Sequence, residues 1–148
     1  MANKKKVDGD KIFHEIVDPL IPKFKLHDIL QIIIGASILA VPIGFTEETW
    51  RLGETLPLIN VLGLLLLSLF FISMFTYYQY HRHANKEHLS EFTKRVIATY
   101  FLSFVVVAII MTLIQKAPWS GDLLLAFKRV AIVTFPSSMS AIIADTIK

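Results

Sequence analysis

TLPLINVLGLLLLSLFFISMFTYYQY, residues 55 to 80, runs for twenty-six positions without one charged side chain. As a helix rising 1.5 Å per residue it would extend about 39 Å, more than the roughly 30 Å of a bilayer's hydrocarbon core. Leu62 to Phe71 is almost purely Leu and Phe apart from Gly63 and Ser68. Tyr77, Tyr78 and Tyr80 close the run as the aromatic girdle expected where a helix leaves lipid. A segment of this kind has to be buried in lipid or in protein on every side, and it sets the expectation for the rest of the chain.

Three further segments follow the same logic. Eighteen uncharged residues separate Asp28 from Glu47, and twenty run from Val96 to Gln115, where Lys116, Pro118 and Trp119 end them. Ser120, Gly121 and Asp122 then read as a turn whose aspartate can cap the helix after it. The fourth segment, Leu123 to Ile147, is interrupted by Lys128 and Arg129 and thinned by Pro136, Ser137, Ser138 and Ser140. A charge at the bilayer centre costs roughly 2.5–3.5 kcal/mol on insertion scales, so this helix is expected to rely on neighbouring helices. The expected fold is all-α: an integral membrane bundle of four transmembrane helices, with spans at about 28–46, 56–80, 96–115 and 123–147. A cytoplasmic N-terminal segment, 1–27, precedes the transmembrane domain, 28–148. Within it Phe13, Ile16, Val17, Leu20 and Ile21 recur at spacings of three and four, which predicts a short amphipathic surface helix broken by Pro19 and Pro22.

Composition agrees. Of 148 residues, 54% are hydrophobic and 18% charged, against roughly 25% charged in soluble domains. The absence of cysteine excludes disulfides, thiolate metal sites and thiol nucleophiles. The net charge of +3 sits at span ends, which excludes a basic nucleic-acid groove and bears instead on orientation. Lys4, Lys5, Lys6, Lys11, Lys23 and Lys25 precede the first span, and Arg82, Lys86, Lys94 and Arg95 lie between the second and third, whereas the other two loops hold only Arg51 and Lys116. Positive loops stay inside, so both termini are expected in the cytoplasm of a multi-pass cell-membrane protein.

Few residues offer chemistry. On an ideal helix of 100° per residue, Ala36, Ala40 and Gly44 share a face with Glu47, so the acidic pair Glu47 and Glu48 would prolong a small-residue stripe. Such a stripe is expected either to pack helices closely or to face a conduction path with carboxylates at its mouth. Lys128 and Arg129 lie near the same depth and are expected to pair with those carboxylates or to gate them. Asn60 is one of the few polar groups at depth in the second span. His81, His83 and His88 could hold a metal or sense acid, but their spacing is nonstandard and Arg82 and Lys86 repel a dication. The serines have no histidine in a nucleophile's setting, so no enzyme and no cofactor is expected.

The stretch AVPIGFTEETWRLG, residues 40 to 53, together with Lys128-Arg129 and Thr134-Phe135-Pro136-Ser137-Ser138, resembles an uncharacterised family of prokaryotic integral membrane proteins. The resemblance implies membrane location and no particular activity. Thr46-Glu47-Glu48-Thr49-Trp50 also resembles the Thr-x-Glu-x-Trp filter motif of voltage-gated sodium and calcium channels, which would put Glu48 in a pore and Thr46 beside it. In those channels a short pore helix precedes the motif, whereas here a full span does. The function expected from the sequence is a small homo-oligomeric membrane channel for inorganic cations. A non-conducting scaffold or accessory subunit is the alternative, and a secondary ion transporter comes third.

Overall fold

The computed structural model describes residues 25–81 and 89–147. The expected amphipathic helix before the first span lies outside the described residues, as do His83 and His88. Five helices and no strand occur among the described residues: α1 Leu26–Gly44, α2 Glu47–Thr55, α3 Leu58–His81, α4 Leu89–Leu113 and α5 Leu123–Thr146. Four of them, all but α2, are long and apolar enough to cross a membrane.

The least hydropathic of the four is the central one. α5 packs against α1, α3, α4 and α2, whereas α1 and α3 make no contact with each other. Small side chains let α5 take that place. Gly35 of α1 lies so close to α5 that a Cβ on it would stand 2.5 Å from the Ala144 Cβ and 2.9 Å from the Ala141 Cα. Around it Ile32, Ala36, Val106 and Ala141 form one buried cluster. A second joins Ala40, Val107, Met111, Ala126, Val130 and Val133, and a third joins Val61 to Ala131 and Ile132. Between apolar layers, polar side chains bond inward: Ser68 and Ser138 share a hydrogen bond of 2.6 Å, and Ser103, Thr134 and Ser137 donate to the carbonyl four residues back. That back-bonding gives each hydroxyl an acceptor where no water is available. α5 is helical through Pro136, whose ring removes one backbone donor and does not end the helix.

Two breaks shape the Arg129 end of the bundle. Pro42 takes away a donor near the end of α1, and after Gly44 the chain turns at Phe45 and Thr46. Thr46 is the N-cap of α2 with extended backbone, and its hydroxyl donates to the Ile43 carbonyl at 2.8 Å. The continuous helix expected through Glu47 is therefore two helices. At the end of α4, Gln115 adopts a positive φ of 59°, and the Lys116 amide reaches back to the Met111 carbonyl at 2.9 Å. This left-handed closing turn is usually taken by glycine. It leaves the Lys116 carbonyl free to face α5.

Candidate functional site

Arg129 stands in the second turn of α5, 9% exposed, with each of its three guanidinium nitrogens making a hydrogen bond. Nη2 donates to Glu54 Oε1 at 2.6 Å, Nη1 to the Lys116 carbonyl at 2.9 Å, and Nε to the Trp50 carbonyl at 3.3 Å. One side chain so ties together α5, α2 and the loop after α4. Trp50 is itself fixed: its indole N–H donates to the Gly44 carbonyl at 2.7 Å, and the Lys116 ammonium sits 3.9 Å above its ring. Gly53 provides the room, because a Cβ there would overlap Arg129 Cγ and lie 3.5 Å from its Cδ and Nε. Trp50, Gly53 and Glu54 are spaced i, i+3, i+4, so one face of α2 meets the arginine.

At the opposite end Arg95 of α4 pairs with Asp145 of α5, donating from Nε at 3.0 Å and Nη2 at 2.5 Å to the same carboxylate oxygen. Asp145 is 2% exposed, and its other oxygen has no hydrogen-bond partner among the described residues. Nearby in depth, Thr146 donates to Gln79 of α3 at 2.7 Å, and Gln31 of α1 donates to the Ile147 carbonyl at 3.3 Å. The central helix is thus fastened near each end by an arginine–carboxylate pair.

The expected site residues are distributed differently from the way the helical projection arranged them. Ala36 and Ala40 are wholly buried and Gly44 is buried, all facing side chains of α4 and α5 in the same chain. Glu47 and Glu48 are exposed in the first turn of α2, where carboxylates favourably face a helix N-terminus. They are not brought to Arg129, which pairs with Glu54 instead. The Glu47 projection failed because it carried an ideal helix across the break at Phe45 and Thr46. Thr46, at the N-cap position of α2, shares a hydroxyl–hydroxyl hydrogen bond of 2.7 Å with Thr49 and makes no side-chain bond to a backbone amide of the helix. Lys128 is half-buried, and neither it nor the exposed Asn60 has a side-chain bond or ion pair among the described residues. No group of three or more metal-ligating side chains occurs among the described residues.

Four bilayer-length helices with a polar-seamed centre and charge pairs near both ends define an α-helical integral membrane protein. In agreement, residues 19–147 match the model of the family described as "Putative integral membrane protein (DUF2391)". The chain belongs to that family. No curated protein and no solved structure matches it.

Proposed function

We propose that the protein is a membrane scaffold or accessory subunit that does not itself conduct ions. The observation that carries this reading is the burial of Ala36, Ala40 and Gly44 against α4 and α5 of the same chain. A stripe consumed in that way cannot also line a path between copies. Any homo-oligomer would assemble through other faces. Orientation follows the basic residues, with both termini on the cytoplasmic side of the cell membrane. A cysteine at Lys25 should then be shielded from impermeant thiol reagents in intact cells, and one at Ser120 should react.

A second reading, a small cation channel, is favoured by Glu47 and Glu48. Both are exposed, neither has an ion pair among the described residues, and several copies could gather them at one mouth. A transporter draws less support, since the serines around Pro136 bond within a continuous α5 or to Ser68. The deciding experiment is ion flux into liposomes containing the purified protein. Flux equal to that of protein-free liposomes is expected. Cation-selective flux that disappears in the Glu47→Gln, Glu48→Gln double variant would replace the scaffold with the channel.

A further inference from the structure

All four buried side-chain oxygens that lack a hydrogen-bond partner among the described residues, Gln31 Oε1, Thr99 Oγ1, Tyr100 Oη and Asp145 Oδ1, lie in the half of the bundle that holds Asp145. A buried polar atom left unpaired is costly, so their gathering at one end needs a local cause. Three of the four draw together on α1, α4 and α5. Asp145 takes Arg95 on Oδ2, which leaves Oδ1 of the same buried carboxylate without a donor among the described residues. Thr99 follows Arg95 by one turn, about 6 Å along α4, and is wholly buried, so it faces α5 as Arg95 does. Gln31 reaches the end of α5 from α1: its amide nitrogen donates to the Ile147 carbonyl at 3.3 Å, and one turn further on Gly35 lies against Ala141 and Ala144. Tyr100 packs instead with Ile72 and Ile142, toward α3. Asp28, buried three residues before Gln31, accepts from the Lys25 amide at 3.4 Å and is not counted with them.

The charge balance around these oxygens is negative. Asp145 stands in the last turn of α5, which holds no basic residue and where the aligned peptide dipoles amount to about half a negative charge. The last carbonyls of the helix, which have no donor within it, lie in the same turn. Arg95 offsets the carboxylate, and about half a negative charge remains beside unpaired carboxylate, amide and hydroxyl oxygens. Oxygens of this kind at a helix C-terminus suit a hard cation, and so small a residual charge suits a monovalent ion rather than a divalent one. We propose that Gln31, Thr99 and Asp145 bind one alkali cation, sodium or potassium, which ties the last turn of α5 to α1 and α4. The site goes beyond the scaffold reading and requires no path across the membrane.

The test is thermal unfolding of the detergent-solubilised full chain in sodium, potassium or N-methyl-D-glucamine chloride at equal ionic strength. In sodium or potassium the midpoint should rise with concentration and level off, by about 5 °C or more once the ion is a hundredfold above its dissociation constant. Thr99→Val removes one ligand, leaves the Arg95–Asp145 pair in place, and should weaken the apparent affinity by about tenfold. Gln31→Met gives a second variant, on α1, should Thr99→Val fail to fold. Thr134→Val makes the same change on α5, where the hydroxyl donates to the Val130 carbonyl at 2.7 Å, and should keep the full cation response. The proposal is overturned if the midpoints are equal in the three salts, as they would be with a water on these oxygens. It is equally overturned if the folded Thr99 and Gln31 variants respond to the cation as the wild type does.

Discussion

Gly53→Ala sets helix propensity against packing, and the structure says which wins. In an ordinary helix interior, replacing Gly by Ala stabilises by about 1 kcal/mol. At Gly53 the new methyl would overlap Arg129 Cγ, which belongs to the near part of the side chain and cannot swing aside without moving the guanidinium. If the chain keeps the arginine in place, α2 has to shift, an overpacking cost of about 1–3 kcal/mol. If the arginine gives way, it loses bonds to Glu54, Trp50 and Lys116, each about 1.5–3 kcal/mol for a charged donor. The cheaper route is the shift of α2, and after the propensity gain the net loss should be at most about 2 kcal/mol. Gly63→Ala is the matched control, because a Cβ there meets nothing within 4 Å and should stabilise α3 by about 0.5–1 kcal/mol. The assay is reversible unfolding in mixed micelles, followed by tryptophan fluorescence in a Trp119→Phe background so that the signal reports Trp50 inside the cluster. Opposite signs are expected for the two variants. A Gly53→Ala protein stabilised as much as Gly63→Ala would refute the placement of Arg129 over α2.

In a double-mutant cycle, Arg129→Gln and Glu54→Gln should couple by about 1 kcal/mol, held down by the 57% exposure of Glu54, while Arg129→Gln and Glu48→Gln should be additive. Gly35→Ala should cost more than Gly53→Ala in the same unfolding assay, since its methyl would press on the Ala144 Cβ and on α5 backbone at Ala141 and Ser140, none of which can swing aside as a long side chain can. Asp145→Asn should lower stability by about 3 kcal/mol, near the low end for a broken buried pair because Arg95 retains 25% exposure and can turn toward water. Gln115→Gly should raise it by about 1 kcal/mol by relieving a left-handed residue, read as an upward shift in thermal midpoint.

Hydropathy made three of the long helices legible, because an uncharged run of eighteen or more residues has few other places to go, while the fourth had to be read from apolar stretches on either side of Lys128 and Arg129. The site was less legible, for reasons that differ by residue. Glu47 and Glu48 drew notice as an adjacent acidic pair, yet their neighbour Glu54 makes the ion pair, and only the i, i+3, i+4 spacing of Trp50, Gly53 and Glu54 pointed to it. That spacing becomes readable once Thr46 is taken as a cap rather than as the continuation of α1. Asp145 was hidden in the fourth segment by the more conspicuous Lys128 and Arg129, and its partner Arg95 sits one residue before the uncharged third run. The stripe of Ala36, Ala40 and Gly44 marked a close contact, but a helical projection carries no information on whether the partner helix belongs to the same chain.

The position of α5 shows why low hydropathy in one span goes with a central place in the bundle. A helix that faces lipid gains from large apolar side chains, as α3 does with Leu66, Phe70 and Met74, each more than half exposed. A helix enclosed by protein gains instead from small residues that let neighbours approach, and from polar groups that lipid could not satisfy. Ala126, Ala131, Ser137, Ser138 and Ala141 meet the first need, and Arg129 and Asp145 supply the second, each bonded to a different neighbouring helix or loop. Lipid would leave those two charges unpaired at a cost of several kcal/mol each, whereas in the bundle they fix the depth of α5 relative to α2, α4 and the loop between α4 and α5. The same residues that make the segment a poor span by itself therefore determine its register once the other helices are present. This predicts an order of assembly in which α1, α3 and α4 enter the membrane on hydropathy alone and α5 joins by packing. Truncation after Pro118 should leave the first three spans inserted, and α5 expressed alone should insert poorly until they are supplied beside it.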